Sequence, residues 1–207
     1  MRIKNLHLDL ILLIALLVLC NLHLLSGTTS AAVTFLPAAA ADGEWWRTIT
    51  HAFAHLSWYH LLLDASAFFL LYTCLREKVL WKKLAYVTAC IAGSLSFSLL
   101  FDPIYTYGLC GLSGAAHGLL AIVACELIVS KFRTDKIIGL ICLGILISKT
   151  LIELFTGNAF FSSLHFGNIG TPIVECHTGG IIGGITLFII FHLSQIKKAA
   201  IQSSTKM

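Results

Sequence analysis

What most constrains this chain is the regular return of apolar stretches about as long as a lipid bilayer is thick. They run approximately over residues 6 to 25, 57 to 75, 84 to 101, 113 to 130, 137 to 155 and 175 to 193. A helix needs about 20 largely apolar residues to cross about 30 Å of hydrocarbon, and each stretch is close to that length. Lipid offers no partners for backbone N–H and C=O groups, and no ten-residue alternating segments appear of the kind that close into a membrane barrel. The expected fold is therefore all-α: one polytopic membrane domain over residues 1–207, with six transmembrane helices. Composition agrees, since 57% of the residues are apolar and 12% charged, where soluble domains carry about 25% charged residues. A water-soluble globule is excluded.

Basic residues punctuate these stretches. Arg2 and Lys4, then Arg76, Lys78, Lys82 and Lys83, then Lys131, Arg133 and Lys136, then Lys197, Lys198 and Lys206 fall on one side. Arg47 falls on the other, and Lys149 lies within the fifth stretch. Lys and Arg accumulate in cytoplasmic loops, so the heavy side is cytoplasmic and both termini lie there. The net charge of +4 is thus topogenic, and no nucleic-acid partner is expected. The first stretch starts basic and is followed by small residues from Ser26 to Ala32. Its apolar run exceeds the ~7 to 15 residues of a signal peptide, so it reads as a retained helix. The outer segment 26–56 is too apolar for a solvated linker, and its Trp45, Trp46 and Phe53, with Trp58 just beyond, favour the membrane interface. Seven cysteines form no CxxC pair and read as small apolar packing residues.

Polar residues inside membrane helices are costly, so each is a functional candidate. The first group is Gly111-Leu112-Ser113-Gly114-Ala115-Ala116-His117-Gly118, at the outer start of the fourth stretch. Gly114 and Gly118 make a small-xxx-small face for close helix packing. The same glycines leave room around Ser113, where a helix N-terminus offers free N–H groups to an oxyanion. A serine nucleophile needs a base. His177 opens the sixth stretch at the same depth, and Gly180 and Gly184, three and seven residues on, let another helix pack against its face. His117 is the rival base, four residues from Ser113, but on one helix the two side chains point along the axis rather than at each other. His177 is favoured.

A further group surrounds the start of the second stretch. His51 and His55 have the i,i+4 spacing of a zinc metalloprotease helix, yet Ala52 stands where that chemistry needs Glu, so no metal and no cofactor is expected. His60 and Asp64 are placed to face Ser113 and donate hydrogen bonds into one cavity; the alternative, a satisfied polar cluster pinning the outer segment, suits His51 and His55 equally well and His60 less. Lys149 and Glu153, i,i+4 on the fifth stretch, are expected to neutralise each other and snorkel to the interface. A role at substrate entry or with a lipid headgroup is the alternative.

Trp46-Arg47, then His55, His60 and Asp64, then Gly111-Leu112-Ser113-Gly114, then His177 with Gly180 and Gly184 occur in one order over about residues 45 to 190. In this the chain resembles the rhomboid intramembrane serine proteases. It is most similar to their rhombosortase branch, which is about this short and often has histidine where other rhomboids have tyrosine, here His117. The resemblance implies a six-helix rhomboid bundle with Ser113 as nucleophile, His177 as base, no metal and no third acid. It puts His60, Asp64, Gly111, Leu112, Gly114 and His117 about the oxyanion cavity, Trp46, Arg47 and His55 in the outer loop, and Gly118, Gly180 and Gly184 between helices. It further implies an enzyme of the bacterial inner membrane, surrounded by lipid and opening to the periplasm. Its substrates would be secreted proteins with a C-terminal Gly-Gly motif, a single hydrophobic helix and a basic tail.

Two residues depart from that pattern. Asp64 stands where the family usually has Asn, and a carboxylate there repels an oxyanion unless it is protonated or instead orients His60. Cys110 replaces a glycine or small residue ahead of Gly111; it and Cys176 flank the candidate residues and could bridge, although packing explains both. Competing functions are a generic rhomboid protease acting on other single-span substrates, and a catalytically silent relative that binds such clients. A haem or ion carrier, suggested by nine histidines, leaves the glycines around Ser113 unexplained.

Overall fold

Each of the six apolar stretches is helical. The computed structural model describes residues 8–27, 32–160 and 166–204; Arg2, Lys4, Lys206 and part of the run from Ser26 to Ala32 lie outside them. Helix α1 (Leu8–Cys20) stops at Asn21 and restarts as the single turn α2 (His23–Ser26), which Gly27 closes in the left-handed conformation. The outer segment folds into α3 (Pro37–Ala41), α4 (Arg47–Thr50) and a 3₁₀ turn (His51–Phe53). Helix α5 (Trp58–Cys74) starts at Ser57, whose hydroxyl caps it by accepting from His60 N at 3.0 Å. Then come α6 (Leu80–Ser98), α7 (Pro103–Tyr107), α8 (Ser113–Ile128), α9 (Arg133–Thr156) and α10 (Glu175–Ser204). Among the described residues the one β feature outside these helices is an isolated antiparallel bridge between Phe35 and Leu109.

Three helical segments, Leu8–Ser26, Arg133–Thr156 and Glu175–Gln202, are long and apolar enough to cross a membrane. The bundle turns large apolar side chains outward, among them Leu62, Leu70, Ile145 and Phe155. A soluble monomer does not present so much contiguous apolar surface, whereas lipid covers it at no cost. Inside, Phe68, Tyr72, Tyr86, Leu112, Leu119 and Ile122 form the main core.

Helix α10 runs between α6 and α8 and packs on both. Glycines make this possible. An added Cβ on Gly180 would fall on the carbonyl oxygen of Gly114, and one on Gly184 would lie 2.8 Å from that of Gly118. On the other flank a Cβ on Gly93 would lie 2.9 Å from Gly183 Cα. Helices α5 and α9 instead pack on α8 and share little contact with each other.

Polar clasps hold the ends of the bundle. Tyr72 donates to Asp9 at 2.7 Å and Lys83 approaches the same carboxylate at 3.3 Å, joining α1 to α5 and α6. At the other end the Asn21 amide donates to Phe53 O at 2.6 Å and its oxygen accepts from His55 N at 2.9 Å. Arg47 is buried, donating to Thr34 O at 2.7 Å and pairing with Glu44. Trp45, Trp46 and Trp58 are exposed as expected of interfacial aromatics, but Phe53 is not: it joins the core beneath the 3₁₀ turn.

Candidate active site

The turn into α8 is fixed by glycine chemistry and two anchors. Leu109 is bridged to Phe35, and Gly111 N donates to His51 O at 2.9 Å. Gly111 has φ +105°, and a Cβ there would lie 2.7 Å from Asp64 Oδ2 and 2.9 Å from His60 Nε2. Only glycine fits both the dihedral and the space. Leu112 is fully buried behind the turn. Ser113, the first residue of α8, then faces a cavity of about 370 Å³ that His60, Asp64, His117, Lys149, Glu153, Cys176 and His177 also line.

His177 sits in the first turn of α10. Its Nδ1 lies 2.8 Å from Glu153 Oε2, and its ring stacks on that of His117 with centroids 3.9 Å apart and planes 14° from parallel. The Cys176 sulfur lies 3.7 Å from Ser113 Oγ. His117 turns away from the serine hydroxyl: its Nδ1 bonds the Ser113 carbonyl oxygen at 2.7 Å, and its Nε2 meets Lys149 Nζ at 2.8 Å. An ammonium only donates, so Nε2 accepts and Nδ1 donates, as in a neutral imidazole.

The expectation for Lys149 and Glu153 needs correction. They do pair, at 2.7 Å, but they do not snorkel outward. Glu153 is 1% exposed, with one oxygen on His177 and the other held by Lys149 and, at 2.9 Å, by Phe160 N. Bending to the interface would strip the carboxylate of three partners, His177, Lys149 and Phe160 N, for none that is better placed. The resemblance implied no third acid, yet a buried carboxylate stands on the imidazole. Sequence spacing hid this because i,i+4 pairing satisfies both residues locally; the signal was that Glu153 lies at the outer depth of His177.

Asp64 gathers the opposite wall. Its Oδ2 accepts from Ser113 N at 3.0 Å and lies 3.3 Å from His60 Nε2 and 3.5 Å from His55 Nε2. Leu56 N donates to His60 Nδ1 at 3.4 Å, so the His60 proton is on Nε2, toward Asp64. His55 differs: its Nδ1 bonds Phe53 O at 3.1 Å, which leaves the Nε2 lone pair aimed at the carboxylate. A proton on one of the two groups is needed to make that contact attractive. Burial lowers the His55 pKa, opposed by the Asp64 charge. His51 contributes outside the cavity, stacking edge-on against Phe35 and bonding Arg47 O, and burial lowers it to about 4. Cys110 is free, as is Cys176, and burial followed by the Asp64 charge pushes the Cys110 thiol up to about 12.

Among the described residues, His117, Glu153 and His177 present ligand atoms within 4.8 Å of one another. Their geometry suits a cation poorly. Two stacked imidazoles keep their in-plane lone pairs in two separate, nearly parallel planes, and the Lys149 ammonium on His117 Nε2 and Glu153 already supplies the positive charge.

Two comparisons bear on this arrangement. The Rhomboid domain family matches over residues 42–194. YdcA of Bacillus subtilis (strain 168), which carries the name of a rhomboid protease, is 32% identical over 158 residues, covering 75% of this chain and 71% of that one.

Proposed function

The chain belongs to the rhomboid family and is a multi-pass membrane protein, and from that premise we propose that it is an intramembrane serine protease using Ser113 and His177. The observation that carries the proposal is the cavity where the start of α8 meets the start of α10, with a serine and a carboxylate-bonded histidine on its wall. In the reaction His177 Nε2 takes the hydroxyl proton as Ser113 Oγ attacks the scissile carbonyl carbon. The same proton then passes to the leaving amine, and water, activated in turn by His177, hydrolyses the acyl-enzyme. The presence of both groups in one cavity disfavours a silent client-binding relative.

The shortness of α8 supports a site below the membrane surface. Its 16 residues span about 24 Å, against about 30 Å of hydrocarbon. Lys131 just beyond its far end belongs at the cytoplasmic headgroups, so the deficit falls at the Ser113 end. The orientation we propose has six crossings, cytoplasmic termini and a periplasmic opening in the bacterial inner membrane. A cysteine introduced at Asn158 should then react with an impermeant reagent from the periplasm, and one at Thr134 only after the membrane is breached. The reverse pattern overturns the orientation.

For substrate we propose secreted proteins with a C-terminal Gly-Gly motif, a hydrophobic helix and a basic tail. Residues without Cβ let a scissile backbone lie close to Ser113, between Gly111 and Gly114. The following helix enters between α5 and α9, where contact is sparse. A reporter ending in such a segment should be cut near its glycines, and replacing both with valine should block it. Ser113→Ala and His177→Ala should each abolish cleavage while leaving the protein folded; an active His177→Ala overturns the base assignment.

A further inference from the structure

Resting on the Ser113 and His177 reading, we propose that Glu153 is the positioning residue of the base, so that serine, histidine and glutamate act together with the proton kept on His177 Nδ1. Three observations carry this. Glu153 Oε2 lies 2.8 Å from His177 Nδ1, on the ring edge opposite Nε2. The carboxylate is buried and reaches from α9 to α10, so it fixes the imidazole against a second helix rather than against its own. Its other oxygen is locked by Lys149 Nζ at 2.7 Å and Phe160 N at 2.9 Å. A carboxylate accepting from Nδ1 keeps the proton there, leaves the Nε2 lone pair free for the serine hydroxyl, and stabilises the imidazolium formed on attack. The stacked His117 ring, itself held by Lys149 and the Ser113 carbonyl, blocks the imidazole from tilting out of that line.

The double lock on Oε1 gives an unusual prediction for the isosteric change Glu153→Gln. The amide oxygen takes the place facing Lys149 and Phe160 N, because both are donors. The amide NH₂ is then turned to His177 Nδ1 and forces the imidazole proton onto Nε2, the wrong tautomer for a base.

The test is the rate at which a fluorophosphonate probe labels Ser113 in the purified, detergent-solubilised full chain, with kcat and KM on a cleaved reporter. Glu153→Gln should slow labelling by about 10²-fold or more, lower kcat with KM unchanged, and melt as the wild type does. Glu153→Ala should be as slow but accelerate with added formate, which can reach the vacated position because Glu153 lines the cavity. His177→Ala should be slow with or without formate. Labelling of Glu153→Gln at the wild-type rate overturns the proposal, as does a loss in Glu153→Ala that formate leaves unchanged, while Ser113 and His177 remain assigned. Labelling of Ser113→Ala at the wild-type rate overturns the protease reading, and this proposal with it.

Discussion

Through Gly114 and Gly118, α8 meets α10 glycine to glycine; through Ser113 and His117 it faces α5, α9 and the first turn of α10 across histidines, carboxylates and a cavity. The first seam is close-packed, with Gly180 and Gly184 against the carbonyl oxygens of Gly114 and Gly118 and with Ser94 and Cys90 of α6 closing over Gly114 and Gly118. The second, about the cavity, is largely side chain against side chain, with Asp64 on one wall and Glu153 on the other; farther along α9, Gly139 packs on the Ala124 backbone as the glycine seam does. Without a hydrophobic force between helices in lipid, close packing is what holds the first seam together. The second can therefore be opened and rebuilt for chemistry without the bundle coming apart. The lesson is that close packing and the candidate chemistry are assigned to adjacent residues of one helix, Gly114 beside Ser113 and Gly118 beside His117.

The largest expected effect strikes the glycine seam. Gly180→Ala places its Cβ on the Gly114 carbonyl oxygen, and should cost roughly 3 kcal/mol or more, seen as a collapsed thermal melt. Leu63→Ala, on the cavity wall and 41% exposed, should leave the melt nearly unchanged. If both variants melt like the wild type, the contrast between the glycine seam and the cavity wall is wrong.

Asp64 sharpens the comparison from the reactive side. In Asp64→Asn the amide oxygen, placed as Oδ2 is, can still accept from Ser113 N and from His60 Nε2, so activity should be kept or raised and folding unaffected. Asp64→Leu leaves the Ser113 N–H unpaired, at a cost of about 1–3 kcal/mol, and should lose activity as well. A folded but inactive Asp64→Asn would mean the carboxylate itself is required.

His117→Ala should do least. The ring stack it removes is worth about 0.5–1.5 kcal/mol, so cleavage should fall by no more than about tenfold. A dead His117→Ala alongside an active His177→Ala would exchange their roles.

The positions of the helices were legible because lipid imposes one length on apolar stretches, and Lys131 falls between α8 and α9; Lys197 marks no end, since α10 runs through it to Ser204. The glycine seam was legible too, since Gly180 and Gly184 repeat at helical spacing and small residues on one face have one structural use. What spacing did not reveal was the partner across a helix boundary. Glu153 read as half of a local pair with Lys149 because periodicity places residues on a face but does not say which helix that face meets. Phe53 read as interfacial for the same reason: the fold of the outer segment, clasped by Asn21, turns it inward.

The placement of α10 between α6 and α8 also sets an order of events during synthesis. A chain emerges from its N-terminus, and α6 and α8 leave the ribosome with their glycine-lined faces unfilled until α10 follows. His177 arrives on that same helix, just ahead of Gly180 and Gly184, which drive its docking. On the proposed assignment, a nascent chain therefore carries Ser113 without its base until α10 has docked.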